Sequence, residues 1–322
     1  MSLIRALATI ALFGVVLLAQ KPKVWTGAEV MRIHRSAILI DTHNDVTSDT
    51  VRGLDLGLRR AEGHTDIPRM KQGGMAAQFF AAYVSAGAIA TGTAARDALR
   101  MIDTIRTDIA ARHPESFFLA TTAAEIERAP KSGRMAALIG IEGGHAIEND
   151  LRLLRAYYDL GVRYMTLTHS ADLDWAGSSG ATTNKGLSDF GRQVIAEMNR
   201  VGMMIDVAHV SDRTFWHVIE TSKAPVFSSH SSCRAISNIP RNMTDDMVRA
   251  VAKSGGVVQI NFGCEFLSQQ SADTSAWTNP AVAKGAADAT ASISGPVQRR
   301  AAAEKWAAER MQQATIDDVF AH

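Results

Sequence analysis

The chain has 322 residues, 46% of them hydrophobic, with 34 basic against 33 acidic side chains and a formal net charge of +1. That is material for one large domain or two small ones, in an ordinary globular composition. With no basic stripe there is no support for nucleic-acid recognition, which relies on a clustered Lys/Arg face.

Arg5 precedes an apolar run from Ala6 to Ala19, which polar Gln20, Lys21, Pro22 and Lys23 close. A charged start followed by an apolar stretch of this length reads as a secretory signal over residues 1–20. Ala19 suits the last position before cleavage, whereas Leu17 is bulky for it, so an uncleaved membrane anchor is the alternative. Either way the expected destination is secreted or periplasmic, and these residues stand outside the fold. No Cys lies near the run, which excludes lipid attachment there. Cys233 and Cys264 could pair in an oxidising compartment, or remain two free thiols.

From residue 27 to 322 the pattern is that of one domain. A short helix around Val30 to Arg35 leads into an alternation of strands and helices. Near-continuous apolar runs, the mark of strands covered on both faces, occur at Ile38 to Ile40, Ala76 to Val84, Ala136 to Ile141, Tyr164 to Thr168, Met203 to Val207, Val226 to Ser228 and Val257 to Phe262. Between them, apolar residues recur at helical spacing. Leu99, Ile102, Ile105 and Ile109 mark one helix before His113-Pro114. Others begin behind the N-cap residues Ser188, Ser211 and Thr244, and Gly255-Gly256 stops the last. Such alternation predicts βαβ units and a parallel sheet. Seven strands are counted, where a closed (β/α)8 TIM-type barrel needs eight. Residues 266–314 read as an insertion, loose from Leu267 to Pro296 and helical from Arg299 to Gln313. Thr315-Ile316-Asp317-Asp318 then looks like a new helix start, with acidic residues in its first turn. The expectation is a barrel lacking its last strand.

The residues with metal chemistry sit where these strands end. His43-Asn44-Asp45 follows Ile38-Leu39-Ile40, and on extended backbone i and i+2 point to one side, so His43 and Asp45 can reach one ion. Glu142 leaves its strand into Gly143-Gly144, poised as a bridging carboxylate or as a helix cap. His169, His209 and His230 each follow an apolar run. In parallel barrels the chemistry lies at the C-terminal ends of the strands, so ligands far apart in sequence can converge. His145 reads as a supporting residue. His34, His113 and His217 fall on helical patterns and His64 in a loop. Imidazole and carboxylate without thiolate favour zinc, with manganese or cobalt as alternatives. Two such ions could polarise a carbonyl and deliver hydroxide, which is amide or ester hydrolysis.

At these residues the sequence resembles the membrane dipeptidase (renal dipeptidase) family of metal-dependent amidohydrolase-like barrels, from about Val30 to Phe262. The specific stretches are Gly140 to His145, Leu160 to His169, Met203 to Asp212, His230-Ser231-Ser232 and Pro240-Arg241-Asn242. The resemblance implies a two-zinc site, with His43, Asp45 and Glu142 on one ion and Glu142, His209 and His230 on the other. It implies that His169 contacts the substrate near the scissile bond as a catalytic residue beside Glu142, and that Arg241 binds the terminal carboxylate of a dipeptide, a bidentate task suited to guanidinium. A homodimer is left open. The family's further catalytic Asp, in a Gly-Ser-Asp-Phe-Asp-Gly-like strand, has no counterpart here, and Asp317 and Asp318 do not match it. The expectations are therefore a zinc-dependent dipeptidase whose activity as this chain is in doubt. The alternatives are a non-catalytic metal- or peptide-binding fragment and an amidohydrolase of lactams or other non-peptide amides.

Overall fold

The apolar runs become strands of one parallel sheet, and their order follows from which edges they share. A computed structural model describes residues 25–322. The expected signal segment lies outside the described residues. The chain divides into two units at Ala37. The first carries a helix over Gly27–Ser36, opened by a capping box in which Thr26 and Glu29 satisfy each other's backbone N–H.

In the second unit the strands are β1 Leu39–Asn44, β2 Met75–Tyr83, β3 Phe117–Leu119, β4 Met135–Glu142, β5 Val162–Thr166, β6 Met204–Asp206, β7 Val226–Ser231 and β8 Val258–Ile260. Seven of them form a nearly closed barrel in the order β1-β2-β4-β5-β6-β7-β8, every pair parallel. Among the described residues no ladder joins β8 to β1. The Thr42 hydroxyl at the end of β1 instead donates to the Ser229 carbonyl of β7 at 2.8 Å.

The barrel has the seven strands expected, and β3, which was not expected, is an additional strand off that path. Ala136 and Ala137 of β4 pair with Ala77 and Gln78 of β2 and also with Phe118 and Leu119 of β3. β3 must therefore take the edge away from β2, the edge that β5 occupies from Ile139 onward. β4 is thus the innermost strand, and all eight of its residues are buried.

The helices between strands start as their caps require. Ser188, Ser211 and Thr244 each accept a backbone N–H of the first turn, from Gly191, Thr214 and Met247, ahead of helices Asp189–Val201, Asp212–Thr221 and Asp245–Lys253. A longer helix runs over Ala94–Thr104 and continues as a π-helix over Ile105–Ala111. Ile102, Ile105 and Ile109 of that pattern are buried against the sheet, but Leu99 is exposed. The segment expected to be a loose insertion is instead largely helical, with helices Cys264–Leu267, Gln269–Thr274, Pro280–Ala289 and Pro296–Ala308, the last answering the helix expected near Arg299. The helix start at Thr315 forms, with Thr315 and Asp318 capping Ile316–Ala321. Among the described residues no helix is long and apolar enough to cross a membrane. Both cysteines are free thiols: Cys233 Sγ lies 3.6 Å from the His322 carbonyl, and Cys264 Sγ lies 3.4 Å from Gln313.

Candidate metal centre

Glu142 is the last residue of β4, and its carboxylate is the hub of the barrel mouth. Oε1 lies 3.0 Å from His209 Nε2, 3.5 Å from His230 Nε2 and 3.8 Å from His169 Nε2, while Oε2 lies 3.5 Å from His43 Nε2. His43 is in β1 and His230 in β7, whereas His169 and His209 stand three residues beyond β5 and β6. His209 holds a left-handed backbone, φ 66°, a conformation uncommon for a side-chain-bearing residue and found most often where function requires it. Four imidazoles from four strands thus surround one buried carboxylate.

The donors form two groups tight enough to share an ion, His43 with Glu142 and His230, and Glu142 with His169 and His209. The residue they share is Glu142. This partition differs from the expected one, because His169 falls in a group with Glu142 and His209, His230 groups with His43 instead, and Asp45 stands apart. Asp45 Oδ1 lies 3.4 Å from His43 Nε2, but its side chain is 63% exposed, at the rim.

Hydrogen bonds to the outer ring nitrogens set which nitrogen faces inward. Asp206, fully buried in β6, accepts four bonds: from Thr166 Oγ1 at 2.5 Å, the Ala208 N–H at 3.0 Å, the Ser229 N–H at 2.9 Å and Ser229 Oγ at 2.6 Å. The Ser229 hydroxyl has one proton, and it goes to the carboxylate. Its oxygen then accepts from His230 Nδ1 at 2.7 Å, which leaves His230 Nε2 a bare lone pair. Tyr164 does the same for His43. Its hydroxyl donates to the Thr42 carbonyl at 3.1 Å and so accepts from His43 Nδ1 at 3.0 Å. When His43 is neutral, its Nε2, a buried nitrogen without a hydrogen-bond partner, is therefore the one left bare for a metal. Outer partners that fix a tautomer in this way are typical of metal-bound histidines. Sequence reading passed over Tyr164, Asp206 and Ser229; each lies within or beside a motif stretch, but only strand pairing reveals its partner.

The electrostatics agree. Burial opposes the charge on Glu142, yet the neighbouring His43 charge and the close ring nitrogens of His209 and His230 outweigh it, and the carboxyl is held well below its usual range. Burial, then the Arg241 charge, pushes His209 down to about 3. Burial and the neighbouring His43 charge hold His230 well below an ordinary imidazole, and burial also lowers His169. His43 is the exception. Burial opposes its charge, but the Tyr164 oxygen and the Glu142 carboxylate outweigh it, so it is held well above the ordinary value. Three neutral imidazoles around an ionised carboxylate, with His43 as a fourth that must lose its proton to bind, fit a borderline-hard divalent cation.

Arg241 borders this centre from the loop after β7. Nη2 donates to the His230 carbonyl at 3.0 Å and Nη1 to Ser231 Oγ at 3.3 Å, the guanidinium carbon lies 5.2 Å above the Phe266 ring, and Nε has no partner. Burial lowers its pKa to about 10, so it remains a cation at neutral pH, and no carboxylate pairs with it among the described residues. His145 supports the site from outside, with Nε2 3.1 Å from the carbonyls of both Val84 and Ser85. His217 accepts the Leu187 N–H, and His113 faces Asp55 at 3.0 Å, both in packing roles.

The sequence matches the family model described as membrane dipeptidase (peptidase family M19) over residues 27–322. The chain belongs to the membrane dipeptidase family. Two uncharacterized dipeptidases of Schizosaccharomyces pombe are each 35% identical to it, one over 75% of this chain and 63% of its own length, the other over 71% and 60%. The chain thus spans about three-fifths of the length of these curated relatives. Among solved structures, a metallo peptidase from Rhodobacter sphaeroides liganded with a phosphinate mimic of L-Ala-D-Ala is 28% identical, with a TM-score of 0.65 over 72% of this chain and 76% of that one. In this membrane dipeptidase family member the matched stretch takes in Glu142, the four histidines around it, Asp45 and Arg241.

Proposed function

We propose that this chain carries the catalytic centre of a zinc-dependent dipeptidase. His43, Asp45, Glu142, His209 and His230 would hold two divalent ions, with Glu142 common to both, and manganese or cobalt could replace zinc. When bound, the ions supply Lewis-acid polarisation of the scissile carbonyl and activation of a water molecule. The observation that carries the reading is the pairing of that carboxylate hub with a buried guanidinium lacking a carboxylate partner. A buried cation without a counter-charge is costly, and the free carboxylate of a dipeptide would supply one. The solved relative that holds a phosphinate mimic of a dipeptide supports the same substrate class.

The protein's own groups then divide the work. Arg241 orients the C-terminal residue by a charge-assisted pair. His169, neutral through burial, has one N–H to donate to the carbonyl oxygen as charge builds on it, the kind of preorganised donor that stabilises a tetrahedral state. Tyr164 and the Asp206–Ser229 pair keep the ligand histidines in the one tautomer that can bind. Export through residues 1–20 belongs to the same proposal, and N-terminal sequencing of the mature protein tests it. The test of function is hydrolysis of a simple dipeptide by chelator-treated protein before and after addition of zinc. Restored cleavage supports the reading, and zinc uptake at two equivalents without any cleavage overturns it.

A further inference from the structure

Beside the metal centre lies a cleft of about 500 Å3, bordered on its inner side by His169, His209 and Arg241. This is within the roughly 300–1,000 Å3 of pockets that enclose drug-sized molecules, and more than two small residues fill. No strand supplies its outer wall. That wall comes from the segment after β8 and contributes Ala272, Asp273 and Trp277 to the lining, with Ala272 packed in one cluster with Ile239 and Phe266.

We propose that this wall is a subsite for a long cationic side chain on the C-terminal residue of the substrate. The inference rests on the dipeptidase reading and deepens it. A C-terminal carboxylate held by Arg241 places the adjoining side chain against the residues next to Arg241, which here are Ile239 and the wall packed with it. Trp277 is fixed relative to Arg241 by a continuous stack. Phe266 lies beneath the guanidinium and stacks on Trp277 with centroids 5.4 Å apart and planes 25° apart. More than half of Trp277 stays exposed. Ile239, Ala272 and Trp277 suit a methylene stem, and an indole face attracts a cationic head.

Asp273 supplies the charge. It is the one carboxylate lining the cleft among the described residues. Its Oδ1 accepts from Gln269 Nε2 at 2.8 Å, and its backbone carbonyl accepts from Asn279 Nδ2 at 2.6 Å, which fix its position. Among the described residues no Lys or Arg pairs with it. A long side chain ending in ammonium or guanidinium uses both the apolar stretch and this carboxylate, whereas a glutamate side chain meets repulsion there.

The test uses the full chain loaded with zinc and three probes, glycyl-arginine, glycyl-leucine and glycyl-glutamate. Binding is read from tryptophan fluorescence and cleavage from steady-state kinetics. Glycyl-arginine should bind about tenfold tighter than glycyl-leucine, as an exposed ion pair and a cation–π contact together allow, and glycyl-glutamate weakest. Asp273→Asn should collapse the arginine-to-leucine ratio, and Asp273→Lys should invert the order in favour of glutamate, a gain that a misfolded variant cannot produce. Cleavage of all three dipeptides with equal preference, unchanged in the Asp273 variants, overturns the subsite and leaves the dipeptidase reading standing. The expected binding order without any cleavage retains the subsite and overturns the dipeptidase reading. Failure to bind any of the three overturns both.

Discussion

Gly140 of β4 leaves the space that the Tyr164 ring fills, because a Cβ at position 140 would fall inside the van der Waals envelope of that ring. The glycine therefore reaches the metal centre indirectly. It leaves room for the Tyr164 ring where its hydroxyl accepts a hydrogen bond from His43 Nδ1. Gly140→Ala should displace the ring, destabilise the fold by about 1–3 kcal/mol as overpacking does, and weaken metal binding. Tyr164→Phe separates the two effects: its melting temperature should fall less than that of Gly140→Ala, while zinc affinity still drops. Equal zinc affinity in Tyr164→Phe and the parent would remove Tyr164 from the site.

The shared carboxylate makes a sharper prediction. Both donor groups contain Glu142 and only Glu142 in common. Glu142→Gln should therefore reduce zinc content at both sites, whereas loss of His43 or of His209 should affect one site more than the other. Metal analysis after dialysis measures this directly. If Glu142→Gln lost only one equivalent, the carboxylate would not be the bridge.

Ser229 gives a third test, one without a ligand atom. Ser229→Ala keeps the strand but removes the acceptor that holds the His230 Nδ1 proton and the hydroxyl that Asp206 binds. Loss of such an outer partner typically costs 10–100-fold in metal affinity. Competition against a chromogenic chelator should show a weakening of this order, and Ser229→Thr, which restores the hydroxyl, should recover most of it. A Ser229→Ala affinity matching the parent would mean that the tautomer is set elsewhere.

Much of this arrangement is legible in the sequence, and the remainder has a physical reason for being hidden. β2, β4 and β5 announce themselves as unbroken apolar runs because helices cover them, and the histidines and Glu142 stand out because each ends or follows such a run. β3 escapes notice because Phe117-Phe118-Leu119 is too short to show a period and gains its role only by filling the lower edge of β4. Asp206, Ser229 and Tyr164 are visible as residues but not as a support, since their partners lie across strands. Asp45 shares a side with His43 as the spacing requires, yet it falls after the last residue of β1, where the chain turns and exposes it. The wall carrying Asp273 and Trp277 reads as loose polar sequence because its helices, Cys264–Leu267 and Gln269–Thr274, are too short to show a period.

Arg241 predicts a dependence on substrate charge. With an active preparation, a dipeptide acid should be cleaved far faster than its C-terminal amide. Loss of a hydrogen bond to a charged group costs about 1.5–3 kcal/mol, or roughly 10–100-fold in kcat/KM. Arg241→Lys should recover only part of that selectivity, since an ammonium cannot reproduce the two-pronged contact. Equal rates on acid and amide would take Arg241 out of substrate binding.

His43 predicts the pH dependence of metal binding, and the sign follows from its raised pKa. Metal requires the neutral imidazole, and a proton competes for the same Nε2. Because His43 is held well above the ordinary imidazole value by Tyr164 and Glu142, competition should persist at neutral pH. Zinc affinity should then rise with pH up to and through that raised value, rather than levelling off near 6.5. The metal-free protein should show the opposite trend. Protonated His43 stabilises the fold fully below the unfolded value near 6.5, and that contribution is lost as pH rises through the folded value. Glu142 does not blur the comparison, since its depressed pKa keeps it ionised across this window. Thermal melts with chelator and with zinc, taken from pH 6 upward, should diverge as pH rises. His43→Gln should flatten the metal-free curve. Parallel curves in the parent protein would place the titrating group elsewhere.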